Sequence, residues 1–386
     1  MTVNKRPKHF ARLETKMKKL SLYLIVSFVA LLSMDISATN QKVTLKGQWI
    51  SEKNGQVMLD PQTSGLKLWR GRLLSISDGS AHISQQRQLH IIDPKTAKLA
   101  PDSMQMVISD NVKKSCFAEY LSNEPDYEAL AIDPKNDKVI YVATEDARSV
   151  SGLSPKCLKR YRNTGSTDYP SLLVRFVIKD ATTVELTHVR PLHFDPKFKV
   201  GNFPNDGIEG LAFGKNNDLY FALEKDSQKN ARIFSLKITA DFWQSEDFAN
   251  LIDLELNLPQ FVSGNHPING MDYLPIDNHP GYLIAAARND NQLWLIDLAK
   301  NKPTRVIDLE FFAPTNISDG SCPQWEKMNN SSLEGVGIID DTIWLVNDPW
   351  KKNYMKNVSC QSNREKYKQM APLLFSLPIE NNWISR

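Results

Sequence analysis

Short apolar segments separated by polar turns make up most of the chain beyond its first 40 residues. In the clearest example, IEGLAF at residues 208–213 is followed by a polar turn at 214–218 and by LYFALE at 219–224. A third apolar segment, RIFSLKI, follows at 232–238. Alternation with a period of two, bounded by Gly, Asn and Asp, is typical of β-strands joined by tight turns. The pattern therefore predicts a unit of three or four antiparallel strands.

The same pattern recurs along the chain. Each copy has one residue in front of a Gly or Ala at the start of an apolar segment, and these residues are Ser64, Glu128, Glu209, Asn269 and Glu334. The intervals between them are 64, 81, 60 and 65 residues. Repeats of this length with three or four strands are typical of β-propeller blades rather than of solenoids. The longest interval contains an insertion around Cys157, and its apolar run at 172–178 is a candidate for one further blade.

An all-β fold with a single β-propeller in residues 39–386 is the structure that these repeats predict. Six blades are favoured, because this stretch divided by six gives about 58 residues per blade. Five blades, one for each visible copy, are the alternative. Strand material at 43–50 and the segment LLFSLPI at 373–379 are expected to pair and close the ring. No GxGxxG or P-loop pattern occurs, which argues against a doubly wound nucleotide-binding fold.

The first 38 residues have a different character. They hold seven Lys or Arg residues and two acids, and all the bases precede the apolar run at 20–32. This order is typical of a secretory signal peptide, with cleavage after Ala38; an uncleaved N-terminal anchor is the alternative, and Met17 is an alternative start. The run is shorter than the roughly 20 residues that span a bilayer. We therefore expect a periplasmic or extracellular protein without a stable membrane span after cleavage.

The signal segment also carries the excess positive charge. The whole chain has 47 bases and 44 acids, a net charge of +3. Without residues 1–38, 47 less 7 leaves 40 bases and 44 less 2 leaves 42 acids, a net charge of −2. Such a near-neutral chain lacks the basic surface expected of a nucleic-acid-binding protein. We expect a monomer with no nucleic-acid partner and, as ligand, a small anionic or ester substrate.

The four cysteines agree with export. They form two locally separated pairs, Cys116 with Cys157 and Cys322 with Cys360, at intervals of 41 and 38 residues. Two disulfides in this order are the simplest of three connectivities in an oxidising compartment. A metal site made of four thiolates is the weaker alternative, because no C-x-x-C pair is present.

Acidic residues recur in phase with the blades. If the segment that begins each copy is the inner strand, Glu128, Glu209 and Glu334 face the central channel or its mouth. A second acidic set ends the following strand: Asp78, Glu145 and Glu224. Carboxylates gathered around an axis repel each other, and their hard oxygens suit calcium. The alternative is structural, with these Glu residues accepting backbone hydrogen bonds and the Asp residue ending a turn.

Basic residues follow several of the same strand ends. Arg148, Lys225 and Arg288 could bind an anionic substrate beside carboxylate-held calcium and stabilise charge that develops during its hydrolysis. The alternative is that they are solvated loop charges paired with adjacent acids. Neither a G-x-S-x-G elbow nor an H-E-x-x-H motif is present, so neither an α/β-hydrolase triad nor a zinc protease helix is indicated.

Several of these segments together resemble a known family. SGLKLWRGRLLSISDGS, DYEALAIDPKNDKVIYVATED, NDGIEGLAFGKNNDLYFALEKD and SLEGVGIIDDTIWLVND are similar to the phytase-like β-propeller domain, also described as the esterase-like activity of phytase family. The resemblance runs from about residue 60 to 379. It implies an exported propeller with calcium-dependent phosphoesterase or esterase activity.

The resemblance also implies which residues bind the metal. The family's recurrent acidic positions fall on the two acidic sets named above, whereas Asn269 and the pair Arg288 and Asn289 stand where the pattern has acids. Two hypotheses follow. The chain is either a calcium-dependent hydrolase of phosphoric or carboxylic esters, or a non-catalytic exported propeller that binds a ligand or protein partner through loops such as residues 151–166.

Overall fold

A computed structural model describes residues 42–101, 103–123, 125–145, 152–161, 169–201, 207–316, 320 and 322–384. The signal segment predicted at 1–38 lies outside the described residues.

Strands dominate the described part of the chain. They are β1 (Val43–Lys46), β2 (Gln48–Trp49), β3 (Thr63–Trp69), β4 (Arg72–Ser77), β5 (Gln88–Asp93), β6 (Lys98–Leu99), β7 (Met104–Ile108), β8 (Tyr127–Ile132), β9 (Val139–Thr144), β10 (Leu172–Ile178), β11 (Thr183–His193), β12 (Ile208–Phe213), β13 (Asp218–Leu223), β14 (Arg232–Lys237), β15 (Ala249–Asn250), β16 (Ile252–Asp253), β17 (Met271–Ile276), β18 (His279–Ala287), β19 (Gln292–Asp297), β20 (Arg305–Pro314), β21 (Trp325–Met328), β22 (Leu333–Ile339), β23 (Thr342–Asn347) and β24 (Leu373–Pro378).

The helices are short and lie in the connections between strands. The α-helices are α1 (Asp110–Lys113), α2 (Ala118–Ser122), α3 (Pro155–Arg160) and α4 (Arg364–Lys368), and the 3₁₀ turns are Pro196–Phe198, Lys215–Asn217, Phe242–Gln244, Arg288–Asp290, Tyr354–Asn357 and Gln361–Asn363. No helix in the described ranges combines the length and the apolar character that crossing a bilayer requires.

Five four-stranded arrays form the blades of a β-propeller. In blade order they are β3-β4-β5-β7, β8-β9-β10-β11, β12-β13-β14-β16, β17-β18-β19-β20 and β22-β23-β24-β2. The inner strands contact each other in a closed ring, because β3 touches β8, β8 touches β12, β12 touches β17, β17 touches β22, and β22 returns to β3. The propeller architecture predicted from the repeats is therefore present.

The blade count differs from the six that chain length favours. The described residues contain five blades, and the run at 172–178 is not the start of another one: it is β10, paired with β9 on one side and β11 on the other. The extra length of the second repeat lies in the connection between β9 and β10, which contains α3. Division of the chain by an average blade size overcounts because insertions of this kind are included.

The N-terminal strands close the ring as expected. Gln48 and Trp49 of β2 pair with Leu374 and Leu373 of β24, so the last blade contains strands from both ends of the described chain. β1 runs parallel to β20 on the fourth blade. Joining the two chain ends in one blade removes the gap at which an open ring of blades would separate.

The hydrophobic core consists of layers between neighbouring blades. Consecutive side chains of one strand point to opposite faces, so Leu73 of β4 packs towards Leu374 in the fifth blade, whereas Leu74 packs in the cluster that includes Phe176 of the second blade. Because both faces of each sheet are covered, the middle strands are nearly continuous apolar runs. Five such clusters of buried residues occur, one at each blade interface.

Both predicted disulfides are present. Cys116 bonds to Cys157, and Cys322 bonds to Cys360, with Cα–Cα distances of 5.5 and 5.8 Å. The first attaches α3 to the segment between α1 and α2, and the second attaches the connection after β23 to the segment before β21. A cross-link that closes a loop of about 40 residues restricts the unfolded chain and stabilises the fold by about 3–4 kcal/mol.

Candidate metal centre

A β-bulge lies at the start of three inner strands, at the predicted glutamates. Tyr127 is opposite Thr144 and Ala129 is opposite Ala143, so Glu128 has no partner residue on β9. The same slip of one residue occurs at Glu209 and at Glu334. A bulge interrupts the alternation of a strand and re-aims one side chain. This local irregularity brings carboxylates from different blades towards one another.

Glycine follows two of these glutamates because the inner strands approach each other closely there. A Cβ added at Gly210 would lie 2.8 Å from the Cβ of Met271 in the next blade, and one added at Gly335 would lie 2.8 Å from the Cβ of Leu66 in the first blade. A larger residue would push neighbouring blades apart. Each residue of the Glu-Gly pair thus has its own role. The Glu side chain reaches the channel mouth, and the Gly backbone permits close contact between blades.

The first carboxylate group joins blades one and two. Asp78, Asp126 and Glu128 each place one carboxylate oxygen within 4.8 Å of the other two. Protein donors hold them in place: the Gly79 N–H donates to Asp126 Oδ1 at 2.8 Å, and the Ser64 hydroxyl donates to Glu128 Oε2 at 3.0 Å. Asp78 and Glu128 were predicted from the repeats. Asp126 was missed, although a residue directly before the inner strand in a repeat motif was a signal that could have found it.

The second carboxylate group joins blades two and three. Glu145, Glu209 and Glu224 are all buried, and one oxygen of each lies within 4.8 Å of the other two. Glu145 accepts the Gly207 N–H, and Glu224 Oε2 accepts from Lys225 Nζ at 3.0 Å. All three residues belong to the set predicted from the sequence. We refer to the two groups as the first triad and the second triad.

Burial and mutual repulsion disfavour the charged form of carboxylates in both triads. Burial raises the pKa of Glu128 and of Glu209 well above the usual value, and neighbouring carboxylates raise it further. Burial likewise raises the pKa of Asp78, with Asp348 and Asp126 acting in the same direction. A cation at these positions would reduce both penalties, because it replaces lost solvation and its attraction for each carboxylate offsets their mutual repulsion.

Arg288 takes the place of an acid in the fourth blade. Its guanidinium donates to Glu334 Oε1 and lies 3.5 Å from Glu224 Oε1, so it links the third and fifth blades. Burial opposes its charge, but Glu334, Glu209 and Glu224 outweigh burial and raise the pKa of Arg288. The predicted metal ligand Glu334 is therefore paired with a side-chain cation and belongs to neither triad.

The other two predicted basic residues have different positions. Lys225 lies beside the second triad through its contact with Glu224, and its side chain is 19% exposed. Arg148 lies outside the described residues. The structure thus brings two of the three proposed cations to the acidic groups, and both of these contact carboxylates.

Unpartnered polar atoms gather in the fourth and fifth blades. Within the described part of the chain, both amide atoms of Asn269, Glu334 Oε2, Asp348 Oδ1 and Ser332 Oγ are buried without a hydrogen-bond partner. Burial raises the pKa of Asp348 to about 7, although Arg288 acts in the opposite direction. Buried polar groups in folded proteins normally bind protein, water or an ion. The polar atoms in this half of the mouth are therefore suited to accept or donate further hydrogen bonds.

A second layer of charged residues lies three positions further along the inner strands, and there an acid is paired with a lysine. Lys67 Nζ donates to the carbonyls of Met271 at 2.6 Å and Val336 at 2.9 Å, and lies 3.2 Å from Asp272 Oδ1. Asp272 Oδ2 accepts the Ile338 N–H at 3.0 Å. Lys67 thus connects the first blade to the fourth and fifth. Sequence analysis missed this pair, because a single Lys in one repeat and a single Asp in another form no pattern.

Comparisons with known proteins are limited to structural likeness. No family model matches the chain, and no curated protein matches it. Among solved structures, the major allergen Mala s 1 of Malassezia sympodialis is 9% identical, with 84% of this chain and 94% of that chain covered and a TM-score of 0.42.

Two further structures show a similar level of likeness. A streptogramin B lyase is 9% identical over 86% of this chain and 97% of its own, with a TM-score of 0.35. The endosialidase of phage phi92 is 9% identical over 89% of this chain and 70% of its own, with a TM-score of 0.42. The chain's membership of the phytase-like family is not shown by these matches, and its propeller architecture rests on its own strand order and closed inner ring.

Proposed function

We propose that this chain is an exported β-propeller that binds calcium at the channel mouth and hydrolyses esters of small anionic compounds. The observation that carries the proposal is the pair of carboxylate triads contributed by three successive blades. Oxygens bound to one calcium ion at 2.3–2.6 Å lie at most about 5 Å apart. The 4.8 Å limit within each triad fits this geometry, and ligand sets made only of carboxylates favour a hard cation.

The residues of the chain have separate roles in this proposal. Each triad would hold one calcium ion, which when bound neutralises substrate charge and makes bound water more acidic. Arg288 lies between Glu224 and Glu334 and holds the carboxylates of blades three and five by ion pairs to one guanidinium. Lys225 provides positive charge at the edge of the second triad, where an anionic phosphate or carboxylate group would bind.

Export is part of the same proposal. The two disulfides require an oxidising compartment, and the bases ahead of the apolar run at 20–32 fit a secretory signal. The similarity of the repeat segments to the phytase-like propeller domain supports a phosphoric or carboxylic ester as substrate. Small substrates of this kind suit a funnel formed by the connections between blades.

A non-catalytic calcium-binding propeller is the second candidate. It is favoured by the pairing of Arg288, whose guanidinium contacts Glu334 and Glu224. A guanidinium held in this way neutralises protein carboxylates and has less capacity to stabilise a developing negative charge on a substrate. The two candidates share the metal and differ in turnover.

The test measures metal binding and catalysis on the same preparation. Purified protein is unfolded thermally with EDTA and with calcium, and hydrolysis of p-nitrophenyl phosphate and p-nitrophenyl acetate is followed. At 100 times the Kd, calcium is expected to add about 2.7 kcal/mol per site to the free energy of unfolding. Glu209→Gln should weaken this effect, whereas the exposed Glu380→Gln serves as the matched control. Calcium stabilisation without turnover would select the second candidate, and absence of both would refute the metal centre.

A further inference from the structure

A long insertion in the fifth blade builds a cavity beside the channel mouth. The connection between β23 and β24 spans residues 348–372, whereas the corresponding connection in the third blade, between β13 and β14, spans 224–231. Long ordered connections of this kind are commonly functional. The Cys322–Cys360 disulfide anchors the insertion, and Glu326 Oε2 accepts from Asn363 Nδ2 at 2.8 Å. The segment is therefore held in one conformation rather than being a loose loop.

The cavity has a volume of about 290 Å³ and combines one aromatic surface with several amides. Trp350 is 46% exposed and contributes the aromatic surface. The polar part of the lining comes from Asn329, Asn330, Asn353, Asn357, Lys356 and Ser332. No carboxylate lines this cavity among the residues that the structure describes. The metal triads and the cavity are thus made of different residues with different chemistry.

Backbone hydrogen bonds fix the aromatic side of the cavity. The N–H of Trp350 donates to the Asp348 carbonyl at 2.8 Å, and the Trp350 carbonyl accepts from the N–H groups of Asn353 and Tyr354, each at 2.9 Å. These bonds fix the backbone from which the partly exposed indole extends into the cavity lining. Holding the indole on a fixed backbone costs little entropy when a ligand binds.

The amide side is equally preorganised. Asn357 Oδ1 accepts the Asn329 N–H at 2.9 Å, and Asn357 Nδ2 donates to the Asn330 carbonyl at 2.9 Å. These contacts fix the backbone that carries the Asn329 side chain. The Ser332 carbonyl accepts the Asp348 N–H at 2.8 Å, which joins this wall to the channel mouth. The buried Ser332 hydroxyl has no partner within the described residues.

We propose that this cavity is a binding site for a sugar ring. A pyranose has an apolar C–H face that can pack on the Trp350 indole, and its hydroxyl edge donates and accepts hydrogen bonds, as an amide side chain does. A purely apolar ring would make no hydrogen bond with the Asn329 amide or with Asn353 Nδ2, and a small inorganic anion would leave the indole without a contact. The cavity goes beyond the proposed ester hydrolysis, because none of its lining residues belongs to either triad.

Saturation-transfer NMR tests the site with defined probes. Methyl α-D-glucopyranoside, methyl β-D-galactopyranoside and methyl α-D-mannopyranoside are each added at about 20 mM, above the millimolar Kd expected for one sugar ring. At least one should receive saturation from the full protein, with the C–H face of its ring receiving most. Trp350→Ala should reduce that signal about fivefold, and Trp350→Phe should retain part of it.

Two controls make the result decisive. Phe261→Ala removes a comparably exposed aromatic that lines another cavity, and it should leave the signal unchanged. Asn329→Ala provides a second cavity variant if Trp350→Ala fails to fold. The absence of transfer to all three glycosides, or equal transfer in wild type and both cavity variants, would overturn the sugar site. The measurement is made in EDTA, so a failure of the calcium proposal leaves this result unaffected, and the reverse also holds.

Discussion

Two layers of charge occupy the same channel, and they are stabilised in different ways. At the mouth, Glu128 and Glu209 belong to triads of carboxylates, and burial together with neighbouring acids raises the pKa of both. Three residues further along, Lys67 and Asp272 neutralise each other, and backbone groups bond to both. Both layers are buried. The inner pair is balanced by its own contacts, whereas under the calcium proposal the mouth layer is stabilised by an added cation.

This contrast separates structural from functional charge. A buried ion pair whose remaining donors are satisfied holds blades together. A buried carboxylate group without a cationic partner costs stability, and such costs are typical of binding sites. Substitutions in the mouth layer should therefore change how calcium affects stability, whereas substitutions in the inner layer should not.

Removing Lys67 should give the largest effect on stability. Lys67→Met leaves Asp272 buried without its cation and breaks contacts to the fourth and fifth blades, so the free energy of unfolding should fall by about 3–5 kcal/mol. Urea denaturation measures this loss, which calcium should not reverse. The double variant Lys67→Met, Asp272→Leu should recover part of it. Exposed Lys98→Met is the control, and a loss below about 1 kcal/mol at Lys67 would show that the inner layer is not a tie between blades.

The mouth layer should produce a pH dependence in protein treated with EDTA. Burial raises the pKa of Asp348 from 3.8 to about 7, so between these values the native state binds more protons than the unfolded state. Stability should consequently fall as pH rises, by about 2 kcal/mol from about pH 5 to pH 7 for this single group. Glu128 and Glu209 act in the same direction.

Urea denaturation in EDTA across this pH range measures the slope. Asp348→Asn should reduce it, because the variant cannot titrate there, and saturating calcium should reduce it in the wild type. Stability that is independent of pH in EDTA would mean that the mouth carboxylates are compensated by groups of the protein itself.

Asp126→Asn should weaken calcium binding by about tenfold, equal to about 1.4 kcal/mol. The asparagine Oδ1 can still accept the Gly79 N–H, so the local structure should persist while one charge of the first triad is lost. Isothermal titration gives the affinity and the number of ions bound. Asp277→Asn, an exposed position, is the matched control. Unchanged affinity in Asp126→Asn would exclude the first triad as a calcium site.

Lys225→Ala should change stability by less than about 1 kcal/mol, because its ammonium group is partly exposed and contacts the triad from its edge. Its effect should instead depend on substrate charge. The KM for p-nitrophenyl phosphate should rise severalfold, whereas the KM for neutral p-nitrophenyl acetate should not. Equal changes in KM for both esters would indicate that Lys225 affects the shape of the site rather than the recognition of an anion.

Much of the fold could be predicted from the sequence because its signals are local and repeated. Alternating apolar segments indicated the strands, the repeat interval indicated a propeller, and the terminal segments at 43–50 and 373–379 indicated how the ring closes. The cysteine intervals indicated the two disulfides. The number of blades was harder to predict, because an inserted loop and an additional blade both lengthen the interval between two recognisable copies of the repeat.

The candidate site shows the limit more clearly. The repeated glutamates could be recognised because each stands at the same point of its repeat. The structure has the same bulge at Glu128, Glu209 and Glu334. Their partners were not visible: Glu334 is paired by Arg288, whereas Glu209 joins Glu145 and Glu224. Which acids face a cation and which face each other depends on contacts between blades.

By itself, the sequence determined the periodic strands and the phase of the acids and favoured the pairing of the cysteines, since each depends on spacing along one chain. Only the tertiary structure decided that Asp126 completes the first triad, that Arg288 neutralises Glu334, and that Lys67 crosses from the first blade to Asp272 in the fourth. Electrostatic energy depends on distances of a few ångströms between residues that are far apart in sequence, and the closure of the ring sets those distances.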